Sequence, residues 1–346
     1  MPKANPHSEE LLSVDEYEKA ARRKLSEENV NYIFKGAETE STLHRNIEAF
    51  SKYLLRRRVL QGIDEVRTNA TYFDGRIRSD LPYFPGCINV GPLHRNALLD
   101  ILNGSAEFHT AIFISHFSIV EPLEISKLPH LVPKTTPLIW QIYLEKHNYE
   151  LCFKQAKLAK SWGYAGLTIT VDAEANVKLG TTTPTKLAKH DFWNVTTKDV
   201  RRLRECSDLP LIVKGVMTSD DARVAVENGA DGVVISNHGG RSLDYGQSTL
   251  EVLPEIVSSL KSKKSTRSAE IFIDGGIRRG TDILKALALG ARGCLIGRPL
   301  FYGLAYKKSD GVFEVMRILR DELVRAAALC GVSDLSRTSS DILRAA

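Results

Sequence analysis

Eight short apolar runs, alternating with helical patterns, predict a (β/α)8 barrel preceded by a helical segment. Two further observations support that fold class. Polar and glycine residues gather at the C-terminal ends of the runs, where barrels of this kind carry their sites. No GxGxxG follows the first run, which argues against a doubly wound sheet, and eight strands close on themselves readily. The chain has 346 residues, a length that suits one barrel with an extra segment.

Residues 1–12 are polar and are expected to be loose. Residues 13–82 form the helical lead-in. Ser13 is an N-cap candidate for a helix over 14–24, with Asp15, Glu16 and Glu18 at its positive end. Ser26 opens a second helix that ends near Gly36, and a third runs over about 39–49. Residues 50–83 are mixed, with a basic run Arg56-Arg57-Arg58 and a turn signal at Asp74-Gly75. The barrel then occupies 83–346. Its strands are predicted over 83–90, 111–116, 138–144, 165–172, 209–215, 232–238, 271–276 and 293–299. Helical patterns lie over 96–106, 149–162, 219–228, 250–260 and 281–289, with a short one over 120–128. The Thr/Lys-rich stretch 180–194 reads as a loop over the barrel mouth, and 261–268 as a charged surface loop. A long amphipathic helix over 312–330 is expected to close the barrel.

Composition narrows the function. The chain is 43% hydrophobic and 26% charged, with a formal net charge of +5. That mild charge, with no basic tail or aromatic-interleaved basic stripe, argues against a nucleic-acid partner. Five scattered cysteines without a CxxC pair read as reduced thiols and give no metal site. No signal-peptide core, no span long enough for a membrane and no SKL-type tail is present, so a cytoplasmic location is expected.

The strand ends carry the chemistry. A buried strand core favours bulky apolar side chains, yet the runs end in Ser115, in Gln141 and Tyr143, in Thr170 and Asp172, and in Lys214. The sixth run ends in Ser236-Asn237-His238-Gly239-Gly240-Arg241. A histidine exchanges a proton near neutral pH, and an arginine grips a carboxylate with two parallel hydrogen bonds. The seventh ends in Asp274-Gly275-Gly276 followed by Arg278, and the eighth in Gly297-Arg298. Glycine-lined amides with arginines after the last two strands predict a phosphate-bearing cofactor. Lys214 places a positive charge where such a cofactor would sit.

These strings resemble those of the FMN-dependent 2-hydroxy acid oxidases and dehydrogenases: LPLIVKGV, ISNHGGRSLD, IDGGIRRGTDILKALALGA and IGRP, with YIFKGAETESTLHRNIEAF near the N-terminus. The resemblance is close over 205–305, present over 14–60 and weak over 65–200. It implies FMN as cofactor and oxidation of a 2-hydroxy acid, or a related alcohol, with hydride transfer to the flavin. It makes His238 the base, Asp172 its partner and Arg241 the carboxylate ligand, with Tyr32 and Tyr143 bordering the substrate. Ser115, Gln141, Thr170, Lys214 and Ser236 would face the flavin ring. Asp274, Gly275, Gly276, Arg278, Gly297 and Arg298 would hold the ribityl chain and phosphate. A homo-oligomer, tetramer or octamer, follows from the same resemblance, and oxygen or a soluble acceptor is expected to reoxidise the flavin.

The departures fall at the substrate end. The family's second carboxylate-binding arginine after strand four is absent, and Lys178 is the nearest cation there. Lysine lacks the planar fork, so Lys178 is a weaker substrate ligand. The segment after strand four is also shorter than in the family. The family's Ala-Pro-Thr-Ala after strand one is read as Gly91-Pro92-Leu93-His94, and its serine and tryptophan after Ser115 as His116 and Phe117. A remodelled pocket running a different or non-redox reaction on a larger substrate, and a non-catalytic flavin-binding scaffold, are the competing readings.

Overall fold

In a computed structural model, residues 11–119, 123–172, 195–262 and 268–346 are described. The lead-in holds three helices, α1 (Val14–Lys24), α2 (Glu27–Phe34) and α3 (Ser41–Glu48). Ser13 and Ser26 cap the first two, each accepting from the backbone N–H three residues on. A strand β1 (Tyr53–Leu55) follows, then a hairpin of β2 (Ala70–Tyr72) and β3 (Ile77–Ser79) around the Asp74-Gly75 turn. Sequence reading leaves 50–83 unassigned, because strands this short carry little periodicity.

Eight parallel strands then make the barrel: β4 (Tyr83–Pro85), β5 (Ile112–Ser115), β6 (Leu138–Ile142), β7 (Gly166–Thr170), β8 (Leu211–Val216), β9 (Gly232–Ile235), β10 (Glu270–Ile273) and β11 (Gly293–Ile296). Neighbours in sequence pair from β5 to β11, and β11 returns to β4. The ring is completed just beyond β4 by a parallel bridge between Ile88 and Ile114. All eight predicted strands are found, each shorter than predicted, with β8 ending one residue later and β10 starting one residue earlier than expected.

The outer helices are α4 (Ala97–Ala106), α5 (Tyr149–Trp162), α6 (Thr197–Cys206), α7 (Ser219–Glu227), α8 (Thr249–Ser262), α9 (Gly280–Ala288) and α10 (Arg298–Leu329). Helix α6 is missing from the sequence reading, although Thr196 and Asp199 form a capping box at its start. The pattern predicted over 120–128 gives no α-helix among its described residues. A 3-10 turn, Leu128–His130, stands there, with Pro129 unable to extend a helical ladder. The helix expected over 312–330 is the second part of α10, which starts at Arg298 and breaks at Lys307 and Lys308. It does not close the barrel, which the β4–β11 pairing does. The chain's end, β12 (Leu343–Ala345), instead pairs antiparallel with β1.

The barrel interior is filled from below. Tyr72, Phe73 and Ile77 of the hairpin pack on Phe84, Phe113, Ile139, Ile212, Val234, Phe272 and Leu295. Alternation then sends the residue two places further along each strand inward as well. That step takes the interior from apolar to polar.

Candidate active site

The polar layer surrounds a cavity of about 400 Å³ at the C-terminal mouth of the barrel. Tyr32, Tyr143, Lys214, His238, Arg241, Asp274, Gly275, Gly276, Arg278, Gly297 and Arg298 all line it. Lys178 and the stretch 180–194 lie outside the described residues.

His238 and Asp172 form a dyad. His238 Nδ1 is 2.9 Å from Asp172 Oδ1. Burial would push the Asp172 carboxyl up, but Lys214 and His238 together pull it below the usual range. Asp172 is therefore a carboxylate that accepts from Nδ1–H and leaves Nε2 as the basic atom. The backbone is built for this contact. At Gly215, φ is +115°, and a Cβ there would stand 2.6 Å from Asp172 Cβ. The register slips between Lys214 and Val216 at that glycine. His238 has φ +57°, a conformation uncommon for a residue with a side chain, and its N–H donates to Ser236 Oγ at 3.1 Å.

Lys214 is buried at the centre of the layer. Its Nζ donates to Ser236 Oγ at 2.9 Å and lies 3.3 Å from Asp274 Oδ2. Burial favours loss of its proton, but Asp172 and Asp274 outweigh burial and raise its pKa, so it remains an ammonium. Gln141 Nε2 donates to Thr170 Oγ1 at 2.5 Å and to Tyr143 Oη at 3.2 Å. Ser115 pairs in register with Gln141 and is buried beside it.

The arginines meet the end of α2. Arg241 Nη2 donates to the carbonyls of Tyr32 and Ile33 at 2.7 and 3.1 Å. Arg298 donates to Ile33 and Lys35 carbonyls and to that of Gly239. The last carbonyls of a helix lack partners in their own ladder and carry partial negative charge, so they orient both guanidiniums. Burial, with Arg241 and Arg278 nearby, pulls Arg298 down to about 9. Three positive forks so close together call for an anion. Tyr32 Oη donates to Asn89 O at 2.8 Å.

The wall after β4 differs from the sequence reading. Gly86, Cys87, Ile88 and Asn89 line the cavity there, and none of 91–94 does. His94 stands with its Nε2 3.4 Å from Asp100. The strand ends at Pro85, earlier than its apolar run suggests. Phe117 lines the cavity and packs on Tyr143, ring centroids 4.7 Å apart. His116 is stacked on Trp140, and burial lowers its pKa. Burial likewise pushes the Cys87 thiol up to about 12, which keeps it protonated.

The cavity fits a phosphorylated flavin. Gln141 Oε1, Asp274 Oδ1 and Asp172 Oδ2 are buried and have no hydrogen-bond partner among the described residues. Gln141 and Asp274 need donors that a ring N–H and ribityl hydroxyls provide. The arginines and the glycine amides of 275–276 and 297 suit a phosphate.

Fold and cavity together define a flavin-binding barrel oxidoreductase. The FMN-dependent dehydrogenase family matches residues 21–194 and 178–345, and the chain belongs to this FMN-dependent family. It is 32% identical over 360 residues to a 2-hydroxyacid oxidase of Dictyostelium discoideum, covering 96% of this chain and 90% of that one. It is 30% identical over 373 residues to 2-hydroxyacid oxidase 1 of Homo sapiens, covering 96% of each. Among solved structures, the recombinant flavin-binding domain of baker's yeast flavocytochrome b2 aligns with TM-score 0.87 at 28% identity, over 96% of this chain and 86% of that one. A soluble mutant of the membrane-associated (S)-mandelate dehydrogenase from Pseudomonas putida gives 0.86 at 27%, over 97% of this chain and 100% of that one. Among the described residues no helix is long and apolar enough to cross a membrane, and no cluster of metal-ligating side chains occurs.

Proposed function

We propose that this protein oxidises a 2-hydroxy acid to its 2-oxo acid with His238 as base. The observation that carries the reading is the His238–Asp172 dyad, 2.9 Å apart, whose His238 lines the same cavity as Arg241 and Lys214. Bound FMN supplies the two-electron acceptor for the substrate's Cα hydrogen. His238 Nε2 takes the hydroxyl proton, and the Asp172 carboxylate stabilises the imidazolium that results. Arg241 binds the substrate carboxylate through Nη1, which makes no hydrogen bond among the described residues. Tyr32, Tyr143 and Phe117 border the substrate. Lys214, with Gln141, Thr170, Ser115 and Ser236, holds the flavin ring; Asp274, Gly275, Gly276, Arg278, Gly297 and Arg298 hold the ribityl phosphate. Lys178 adds a weaker cation. The protein is expected to act in the cytoplasm as a homo-oligomer, which light scattering on the purified holoenzyme would size.

The test is a visible spectrum before and after anaerobic mixing with a panel of 2-hydroxy acids. Bleaching by one member supports the reading and names its substrate type. Flavin bands that no member bleaches would defeat it. Small acids are expected to be poor substrates, because Arg241 is the one arginine assigned to the carboxylate. Loss of a second charge-assisted contact costs about 1.5–3 kcal/mol. A kcat/KM on glycolate within the ordinary enzyme range would contradict that expectation.

A further inference from the structure

The lead-in between Tyr32 and Asn46 grips the loop that carries His238 and Arg241, and one carboxylate dominates the grip. Asp244 is buried. Its Oδ2 accepts from the Thr39 N–H at 2.8 Å and from the Thr39 hydroxyl, and its Oδ1 accepts from the Thr42 N–H at 3.3 Å. Burial would raise its pKa, but these donors lower it, so it is held as an anion. Helix α3 needs this anion. Its N-cap residue, Glu40, is left-handed and makes no side-chain cap. Asp244 thus caps α3 from another part of the chain, against the positive helix end.

The contact is returned. Thr42 Oγ1 donates to Leu243 O and accepts from Gly246 N–H, both at 2.8 Å. Ala37 N–H donates to Gly240 O at 2.8 Å. Asn46 and Asn237 exchange amide hydrogen bonds at 2.8 and 2.9 Å, next to His238. Gly240 has φ +78°, and a Cβ there would lie 2.6 Å from the Leu43 backbone, so the loop is pressed against α3. Both ends of the same helical pair therefore set the loop. The start of α3 holds Asp244, and the end of α2 holds the Arg241 guanidinium.

We propose that Asp244 is a positioning residue for the reaction: by capping α3 it fixes where the base His238 and the carboxylate fork of Arg241 stand. This rests on the hydroxy acid reading above. A buried carboxylate surrounded by N–H and O–H donors tolerates an amide poorly, because the amide's NH2 then faces donors. Displacement of the loop by an ångström is enough to cost on the order of 100-fold in rate.

The experiment compares Asp244→Asn with wild-type holoenzyme in three measurements. These are FMN affinity, the dissociation constant of pyruvate (a 2-oxo acid of the product class) read from the flavin spectrum, and kcat and KM. Pyruvate binding is expected to weaken about 10-fold and kcat to fall by at least as much, while FMN affinity changes under about 3-fold. Asp244→Glu should recover part of the loss. Thr39→Val, which removes one donor, should show a smaller effect of the same kind and should add little to Asp244→Asn. If Asp244→Asn does not fold, Thr39→Val carries the test alone. Unchanged pyruvate affinity and kcat in folded, flavin-loaded variants would overturn the proposal. So would a loss confined to melting temperature and FMN affinity. A wild type that neither bleaches with any hydroxy acid nor responds to pyruvate would overturn the hydroxy acid reading itself, a result distinct from either of these.

Discussion

The lower and upper halves of the barrel are made from the same strands, and two residues separate a core from a catalytic floor. Phe113 becomes Ser115, Ile139 becomes Gln141, and Ile212 becomes Lys214. On the other side Val234 becomes Ser236, Phe272 becomes Asp274, and Leu295 becomes Gly297. Side chains alternate across a strand, so both members of each pair point inward. The hairpin plug below lets the lower layer stay dry. The upper layer is polar and buried except at Asp274 and Gly297, which are half-buried, and it keeps orphaned oxygens at Gln141, Asp274 and Asp172. Stability comes from the first layer. The second gives up stability for groups that await a ligand.

That contrast can be broken from the upper side first. His238→Ala should cut kcat by about 10³-fold, within the range for a lost general base, with little change in melting temperature. Flavin reduction under single turnover checks it; a loss under 10-fold would remove His238 as the base. Lys214→Met ranks next. It leaves the Asp172 and Asp274 carboxylates without the ammonium that both act on. Losing one partner of a buried charge set costs about 3–5 kcal/mol. Urea unfolding of the FMN-free variant measures this, and a stability equal to wild type would mean the network is not coupled as described.

The pH dependence of stability follows from Asp172. Its folded pKa lies below the ordinary carboxylate value, so its contribution is complete above that value. The contribution disappears as pH falls from the ordinary value, near 3.8, through the folded one. Below about pH 4, Asp172→Asn should therefore flatten the acid-side slope of melting temperature. An unchanged slope would assign acid sensitivity elsewhere.

How much of this was legible differs between the two halves. Lys214, His238 and Asp274 stand out in the sequence because each interrupts or ends an apolar run. Their strand assignments follow from the same runs. Cys87 and Asn89 do not stand out, since β4 is three residues long and its apolar run misleads about where the mouth begins. Asp244, Thr39 and Asn46 look like ordinary loop and helix residues. Their meaning comes from contacts about 190 to 205 positions apart, which no local pattern encodes. Gly215 reads as a weak point in a strand until Asp172 is seen against it.

The smallest effect tests the lower layer. Thr168 is buried in β7, and its neighbours Leu167 and Ile169 belong to the outer core, so Thr168 faces the interior. It pairs in register with Ile212, and its hydroxyl has no partner among the described residues. A buried hydroxyl without a hydrogen bond costs about 1–3 kcal/mol. Thr168→Val keeps the shape and removes that cost, so it should raise the melting temperature and leave flavin affinity unchanged. A lower melting temperature would show that Thr168 belongs functionally to the polar floor, and the boundary between the layers would then run one step deeper on β7 than on its neighbours.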